Sequence, residues 1–269
     1  MVTLSASTTG ILNGPQNQPA AQGPTDFNDD FTNLSTPVPA GQTGPFDPAA
    51  VTFTNTVSNP GTAFLANVVV VPVIPSRANT IDPGSYGADT DIPVDTTVTI
   101  SYGGASAVYT YTFTPAVGAV PAFYSWVLTS GAPIVLDTQL LPGETQQYTV
   151  TVNLPAGTSV LDEVSVPIVA FPDTGAPGYT GETTTNITIN RLYTGFMELI
   201  KEARILRADG VTEVQTWTQN ITSEAQPGEF IEYRIRYRNI STAVSGSNSV
   251  TLSAANFKVL ENGVDLPNN

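Results

Sequence analysis

Short segments in which apolar residues alternate with threonine or other polar residues follow one another between residues 51 and 189. A period of two puts successive side chains on opposite faces of a strand, so that one face can be buried. Such segments, spaced roughly 8 to 12 residues apart and separated by turn residues, are typical of β-sandwiches. The strand candidates are 51–57, 65–74, 96–100, 108–113, 123–128, 134–136, 147–152, 164–171 and 184–189. Not all of them alternate: 65–74 is a continuous apolar run apart from Asn67 and Pro72, which is consistent with a central sandwich strand. The chain is therefore predicted to be all-β, with tandem Ig-like or Greek-key β-sandwich domains.

One segment fits two periodicities. Apolar residues at 196, 199, 200, 203 and 206 have the spacing of a helix face. The segments on both sides of it have strand patterns, and this context favours a strand.

Internal repeats connect distant parts of the chain. The sequence PGETQQYTVTV at 142–152 aligns with PGEFIEYRIRY at 227–237, which places a Pro-Gly turn before a strand with Tyr148 and Tyr233 in the same register. A second repeat involves segments near the two ends of the sequence, since VTLSA occurs at 2–6 and again at 250–254. The first repeat predicts that both halves contain the same turn and strand.

Charge and composition divide the chain into three parts. Residues 1–46 are rich in Gly, Pro, Asn, Gln and Thr, and are predicted to form an extended N-terminal arm or linker. Residues 1–190 contain one basic residue, Arg77, and fourteen acidic ones, whereas 191–269 contain eight basic and nine acidic residues. This shift predicts a sandwich domain over 47–190 and a second one over 191–269.

The second predicted domain is incomplete. It contains about four strand candidates, whereas an Ig-like sandwich needs about seven. Its sheets would have unpaired edges, which bind other strands. The sequence leaves two explanations open: the fragment is cut, or a strand arrives from another chain. The arm at 1–46 is the predicted donor, and donation from one copy to the next would produce filaments.

The absence of His and Cys excludes several kinds of active site. The 269-residue chain has neither residue, so Ser-His-Asp and Cys-His triads and zinc sites that use imidazole or thiolate cannot form. The carboxylate pairs Asp162-Glu163 and Glu198/Glu202 could in principle hydrolyse glycosides, but with Trp126 and Trp217 as the only tryptophans no tryptophan-lined cleft is expected around them. The chain is therefore predicted not to be an enzyme. A net charge of −14 argues against nucleic acid as a partner. No apolar run reaches the length of a membrane-spanning helix, and the start of the chain lacks the features of a secretion signal. The chain is therefore expected to be either cytoplasmic or a mature or excised piece of a larger precursor, and the second interpretation suits the other observations better.

Two acidic stretches are candidate calcium sites, because calcium prefers carboxylate and amide oxygens. One is a loop with Asp26, Asn28, Asp29 and Asp30, and the other contains Asp89 and Asp91. Neither has the spacing of an EF-hand. The alternative is that both are solvated acidic loops without a cofactor.

An intramolecular isopeptide bond is a further candidate. Lys201 is one of two lysines, and with Asn239 and either Glu232 or Glu202 it has the residue types that such a crosslink needs. The alternative is an ordinary surface lysine.

Two stretches resemble a known family. They are VTFTNTVSNPGTA at 51–63, followed by NVVV at 67–70 and by Ile74-Pro75, and PGEFIEYRIRYRN at 227–239, preceded by a strand with Lys201. Both resemble the Ig-like "conserved repeat" domain of prokaryotic, especially cyanobacterial, cell-surface proteins. The resemblance implies a cell-surface or extracellular location and a sandwich architecture, and it assigns no chemistry.

Three functions follow as hypotheses. The first is a structural subunit of an extracellular fibre, filament or surface layer whose main partner is another copy of itself. The second is a surface adhesin, spacer or carbohydrate-binding module with a polysaccharide partner, which would need an exposed aromatic patch at Trp126 or Trp217. The third is an accessory region of a secreted hydrolase.

Overall fold

The structure, a computed structural model, describes residues 10–22, 31–39, 41–81, 86–175, 179–241 and 248–259. Within these ranges it contains strands, a short helix and two 3-10 turns, so the all-β prediction is confirmed. The strands are β1 (Leu12–Pro15), β2 (Phe31–Thr36), β3 (Val51–Ser58), β4 (Leu65–Pro72), β5 (Thr97–Tyr102), β6 (Ala105–Thr114), β7 (Phe123–Ser130), β8 (Ile134–Leu140), β9 (Thr145–Asn153), β10 (Glu163–Pro172), β11 (Asn186–Thr194), β12 (Met197–Leu206), β13 (Glu213–Thr218) and β14 (Phe230–Asn239). The helix α1 spans Pro75–Ile81, and no helix of the described residues is long and apolar enough to cross a bilayer.

The described chain divides into two units. The first comprises Met1–Gly195 with Ser241–Leu252, and the second comprises Phe196–Ile240 with Ser253–Asn269. The first unit is a sandwich of two sheets. One sheet has six strands in the order β1-β3-β9-β5-β6-β7, and the other has five in the order β2-β11-β10-β4-β8. All neighbouring strands are antiparallel except β2 and β11, which are parallel.

The main core lies between these two sheets. Alternating residues of the six-stranded sheet, such as Phe53, Val98 and Val150, pack in the same apolar cluster as Val70 and Ile168 of the five-stranded sheet. Because strands expose alternate side chains on opposite faces, the period-two segments of the sequence account for these buried positions directly.

The five-stranded sheet is buried on both faces. Its other face packs in a second apolar cluster that includes Val69 and Val169 of the sheet, Ala78 of α1, and Tyr86. This explains why β10 has no alternation, since a strand covered on both sides has a continuous apolar sequence. Pro75 begins α1, a position where the missing N–H costs little.

The prediction of an extended arm over 1–46 is wrong for the part that the structure describes. The strand β1 pairs with β3, and β2 pairs with β11, so both belong to the sheets of the first unit. Asn13 is fully buried, where its Nδ2 donates to the carbonyl of Ile168 at 2.9 Å and its Oδ1 accepts from the Tyr148 hydroxyl at 2.8 Å. These buried hydrogen bonds satisfy a polar segment inside the sandwich.

The predicted boundary at residue 190 is also corrected. Residue 190 lies within β11, which belongs to the first unit, and the chain leaves this unit at Gly195. Gly195 has a φ of 83°, which side chains rarely adopt, and a Cβ there would lie 2.9 Å from Cγ2 of Val38. Both observations explain why a glycine occupies the position where the chain leaves the first unit. Near the C-terminus, Val250 forms a parallel bridge to Thr32 of β2, and 241–252 is thus part of the first unit rather than the second.

The second unit contains a single three-stranded antiparallel sheet in the order β13-β12-β14. The segment with mixed periodicity, 196–206, forms the central strand β12, so the strand interpretation is confirmed. Within the described residues of this unit no second sheet packs on the first.

Candidate functional site: the open sheet of the second unit

The repeated Pro-Gly turn has the same structure in both units. Gly143 and Gly228 have φ values of 78° and 91°. The Glu144 carboxylate accepts from the backbone N–H of Leu141 at 2.9 Å, and Glu229 accepts from Gln226, also at 2.9 Å. The sequence prediction of a shared turn is therefore confirmed, and it allows β9 and β14 to be compared position by position.

Equivalent positions of these two strands differ in burial. Tyr148 of β9 is 1% exposed, and Val152 is fully buried in the main core. Their equivalents in β14 are Tyr233, which is 59% exposed, and Tyr237, which is 63% exposed. A position that faces the opposing sheet in the first unit thus faces solvent in the second.

The strands next to β9 and β14 explain part of this difference. β3 pairs with β9 so that Val51 lies opposite Val152, and β12 pairs with β14 so that Leu199 lies opposite Tyr237. On its other side β9 pairs with β5, whereas no described strand pairs with the outer edge of β14. Within the described residues, the second unit therefore corresponds to β1, β3 and β9 of the first, without an equivalent of β5 or of the five-stranded sheet.

We call one side of this sheet the apolar face. Directly opposite residues of antiparallel strands point to the same side, and the pairs Leu199–Tyr237, Ala203–Tyr233 and Ile205–Ile231 share this side. The set comprises Met197, Leu199, Ala203, Ile205, Ile231, Tyr233, Ile235 and Tyr237, with Lys201 and Asn239 on the same side. Leu199, Ile231, Tyr233 and Tyr237 are exposed, although Ile205 is fully buried.

We call the other side the arginine face. Arg238 pairs with Glu198, Arg234 and Arg236 both donate to Glu202 at 2.7 and 2.9 Å, and Arg204 bridges Glu232 and Glu213 at 2.6 and 2.9 Å. The guanidinium groups of Arg204 and Arg234 lie 4.9 and 4.3 Å from the ring centroid of Trp217. These interactions suit a surface in contact with water.

The ion pairs of the arginine face shift the titration of its groups. The hydrogen bond from Arg234 is the main cause that lowers the pKa of Glu202, and Arg236 adds to it. The hydrogen bond from Glu232, and then that from Glu213, raises the pKa of Arg204. The apolar face has four exposed apolar or aromatic side chains, although Phe257 packs on Tyr237 with ring centroids 5.2 Å apart. These exposed side chains make the apolar face the candidate site.

The predicted calcium residues fall into two groups. Asp26, Asn28, Asp29 and Asp30 lie outside the described residues. Asp89 and Asp91 are described, and each carboxylate accepts hydrogen bonds from this chain: Asp89 from the backbone N–H and hydroxyl of Ser76 at 2.8 and 2.6 Å, and Asp91 from the backbone N–H of Ala88 at 2.8 Å. The described residues bring no three acidic side chains together as a metal site. Calcium binding stays a prediction.

The predicted isopeptide residues are not brought together. Asn239 lies opposite Met197, four residues along β12 from Lys201, which corresponds to about 13 Å. Glu232 lies on the arginine face and binds Arg204, whereas the Lys201 amine lies 5.3 Å from the Tyr233 ring centroid on the apolar face. The hypothesis of this crosslink is wrong for the described geometry, because an amide bond needs the lysine and asparagine side chains in contact.

The two tryptophans are both partly buried. Trp126 of β7 packs on Tyr111 with ring centroids 4.8 Å apart, and Trp217 lies beneath the two guanidinium groups described above. The sequence interpretation singled out lysine, asparagine and aspartate, and it missed the tyrosines of β14. The aligned repeat at 142–152 and 227–237 held the signal, since it pairs Tyr233 with the core residue Tyr148.

Comparisons with known proteins give distant likenesses. No family model matches the chain, and no curated protein matches it. A family 123 glycoside hydrolase from Clostridium perfringens is similar in structure over 70% of this chain, with 8% identity and a TM-score of 0.29, and the chain spans 27% of that protein. The CooA pilin subunit from enterotoxigenic Escherichia coli is similar over 69% of this chain and 99% of its own length, with 9% identity and a TM-score of 0.27. At these scores neither likeness assigns a function.

Proposed function

We propose that the protein is a structural subunit of an extracellular fibre, filament or surface layer, and that another copy covers the apolar face of the second unit. The observation that carries this proposal is the contrast between Tyr148 and Tyr233. The same turn and strand are completed by a sheet in one unit and left open in the other. Exposed apolar patches of this kind mark interaction surfaces on folded proteins.

The proposal accounts for the chemistry of both faces. Covering Leu199, Ile231, Tyr233 and Tyr237 removes apolar surface from water, which is the main favourable contribution to association. The arginine face already pairs its charges and can remain at the surface. Lys201 is the charged residue that such association would cover, and its amine lies 5.3 Å from the Tyr233 ring centroid, whereas the arginines and their carboxylates stay on the other face.

The extracellular location rests on composition and on resemblance. The chain has a net charge of −14, and its two stretches at 51–63 and 227–239 resemble the Ig-like repeat domains of prokaryotic surface proteins. As part of the proposal, we extend that resemblance to the whole chain. We also propose that the protein has no enzymatic activity, does not bind nucleic acid and does not insert into a membrane.

The route of assembly differs from donation by an N-terminal arm. The strands β1 and β2 are paired inside the first unit and would have to leave its core to act as donors. An edge strand of the neighbouring copy is already available without such rearrangement. Head-to-tail contact between an edge and the open sheet would produce an open filament.

The test is assembly of the purified protein at rising concentration, followed by sedimentation velocity and electron microscopy. The native protein is expected to form regular filaments or sheets. Tyr237→Asp places a carboxylate on the apolar face and is expected to prevent assembly, whereas Val211→Asp, at an exposed position in the turn before β13, is the matched control and should assemble. A native protein that stays monomeric at every concentration overturns the proposal.

A polysaccharide ligand is the second candidate function. The observation that favours it is a group of aromatic side chains on β6 and β7, in which the exposed Phe113 lies 4.9 Å from the partly buried Tyr124. Beside them, the partly buried Trp126 lies 4.8 Å from Tyr111, which is fully buried in the main core. Flat aromatic faces suit the apolar faces of sugar rings. Affinity electrophoresis in gels that contain bacterial polysaccharides tests it, because retardation that Phe113→Ala abolishes supports binding and unchanged mobility in every gel excludes it for those glycans.

A further inference from the structure

The edge strands of the described sheets differ in how well they are protected. Natural sheets protect their edges with charge, proline, short length or a cover. The strand β1 has four residues and ends at Pro15, and β8 carries Asp137. The outer edge of β2 is covered at Val250, whose N–H donates to the carbonyl of Phe31 and whose carbonyl accepts from the N–H of Asn33. In the second unit, β13 carries Glu213 and β14 carries three arginines.

The edge strand β7 has none of these protections. It is eight residues long, has the sequence FYSWVLTS and contains neither a charge nor a proline. It lies within a stretch of 41 uncharged residues between Asp95 and Asp137, in a chain with a net charge of −14. Phe123, Val127 and Leu128 are exposed. A second copy can approach this edge without the repulsion that its acidic surface produces elsewhere.

The first unit indicates what kind of strand belongs beside β14. The equivalent strand β9 has β5 as its outer neighbour, with the sequence TVTISY. Val98 and Ile100 of β5 point into the core, and Thr97, Thr99 and Ser101 point away from it. The missing neighbour of β14 is therefore expected to be uncharged, with apolar side chains on one side and mainly Ser and Thr on the other.

The strand β7 is uncharged and has part of this pattern. Tyr124 and Trp126 lie on the core side of their sheet, next to Phe113 and Tyr111, and Ser125 and Thr129 lie on the outer side with Phe123 and Val127. A second β14 does not fit, because its arginines at 234, 236 and 238 would lie beside the same arginines of the first copy. Like charges directly opposite each other destabilise a strand pair.

We propose that β7 of one copy pairs with the outer edge of β14 of the next copy. This inference rests on the proposed function and names the strands that join the copies. It connects the six-stranded and three-stranded sheets of neighbouring copies into one sheet of nine strands, with Tyr124 and Trp126 on the same side as the apolar face. Val127 then lies on the side of the arginine face.

This placement predicts opposite effects for opposite charges at Val127. Val127→Lys puts a lysine beside Arg234, Arg236 and Arg238 of the next copy, and should raise the concentration needed for assembly by about fivefold or more. Val127→Glu puts a carboxylate beside the same arginines and should leave that concentration unchanged or lower it. Val135 of β8 is the control, because Val127 and Val135 are both 44% exposed. Val135→Lys and Val135→Glu should assemble at the native concentration.

Sedimentation of all five proteins at rising concentration, with circular dichroism to confirm folding, separates the outcomes. If the native protein assembles and both charges at Val127 weaken assembly equally, β7 pairs with β7 and the inference is wrong. If neither charge has an effect, β7 is outside the interface, and the proposed function stands without this inference. If the native protein does not assemble at all, the proposed function itself fails.

Discussion

The strands β9 and β14 follow the same Pro-Gly-Glu turn, pair on one side with an equivalent strand, and carry aromatic or branched side chains in the same register. In β9 these side chains are covered by the opposing sheet, and in β14 several are exposed. The difference in side-chain burial arises from the elements around each strand, because the repeated sequences form the same turn and the same strand in both units. The exposed version of the motif, in β14, is the place where we propose that another copy adds a strand.

The largest expected difference between the units is at the repeated tyrosine. Tyr148→Ala removes a buried ring and its hydrogen bond to Asn13, and should lower the free energy of unfolding by about 3–5 kcal/mol. Tyr233→Ala removes an exposed ring and should change it by less than about 0.5 kcal/mol. Urea unfolding of dilute protein measures both. Equal losses for the two variants would mean that Tyr233 is covered in the dilute protein.

A buried amide pair is the next largest contrast. Asn55 and Asn190 are fully buried, and each Nδ2 donates to the other's Oδ1 at 3.0 Å, whereas Ala203 stands at the position of Asn55 in the second unit. Asn55→Leu leaves the amide of Asn190 without its partner and should cost about 1–3 kcal/mol. Adding Asn190→Leu should restore part of this loss. A double variant less stable than the single one, in the same unfolding experiment, would contradict the account of this pair.

The sequence predicted the elements that depend on local pattern. The alternation gave the strands of the main sandwich, and the repeat gave the turn shared by β9 and β14. The arm prediction failed because β1 and β2 pair with partners far along the chain, and because Asn13 is polar yet buried through its hydrogen bonds. Burial of Tyr148 and exposure of Tyr233 could not be predicted from the repeat, since the two sequences are alike and, among the described residues, the first unit alone has an opposing sheet.

Acid is expected to weaken the second unit more than the first. Hydrogen bonds from the hydroxyl and N–H of Thr212 and the N–H of Val211 lower the pKa of Asp209 from 3.8 to about 2, and Arg234 lowers that of Glu202. Carboxyls with lowered pKa values stabilise the fold above their unfolded pKa and lose this contribution as the pH falls through the folded pKa. The stability that they supply should therefore be complete above about pH 5 and decline towards pH 2.

The variant Asp209→Asn tests this pH dependence. It removes the titrating carboxyl, and the acid-induced change in fluorescence of Trp217 should become less steep between pH 4 and pH 2 when Trp126 is replaced by Phe. Asp89→Asn, at a half-buried carboxyl of the first unit, is the control. The account of the turn at Asp209 is wrong if both variants follow the parent protein.

The smallest expected effect concerns calcium. Asp89 already accepts two hydrogen bonds from Ser76, and Asp89→Asn should cost about 1 kcal/mol or less in the free energy of unfolding. Thermal melts of both proteins with calcium and with a chelator measure the ion's contribution. A rise in melting temperature with calcium that Asp89→Asn abolishes would support the site, and a rise that survives the substitution would direct attention to Asp26, Asp29 and Asp30.

Hydrogen exchange of the native protein below and above its assembly concentration tests the central claim most directly. Amides of β9 should exchange slowly under both conditions, because the strand is paired on both sides within one copy. Amides of β14 that face its outer edge should exchange rapidly in dilute protein and slowly in the assembled protein. Rapid exchange of those β14 amides at every concentration would contradict the claim that another copy completes the second unit.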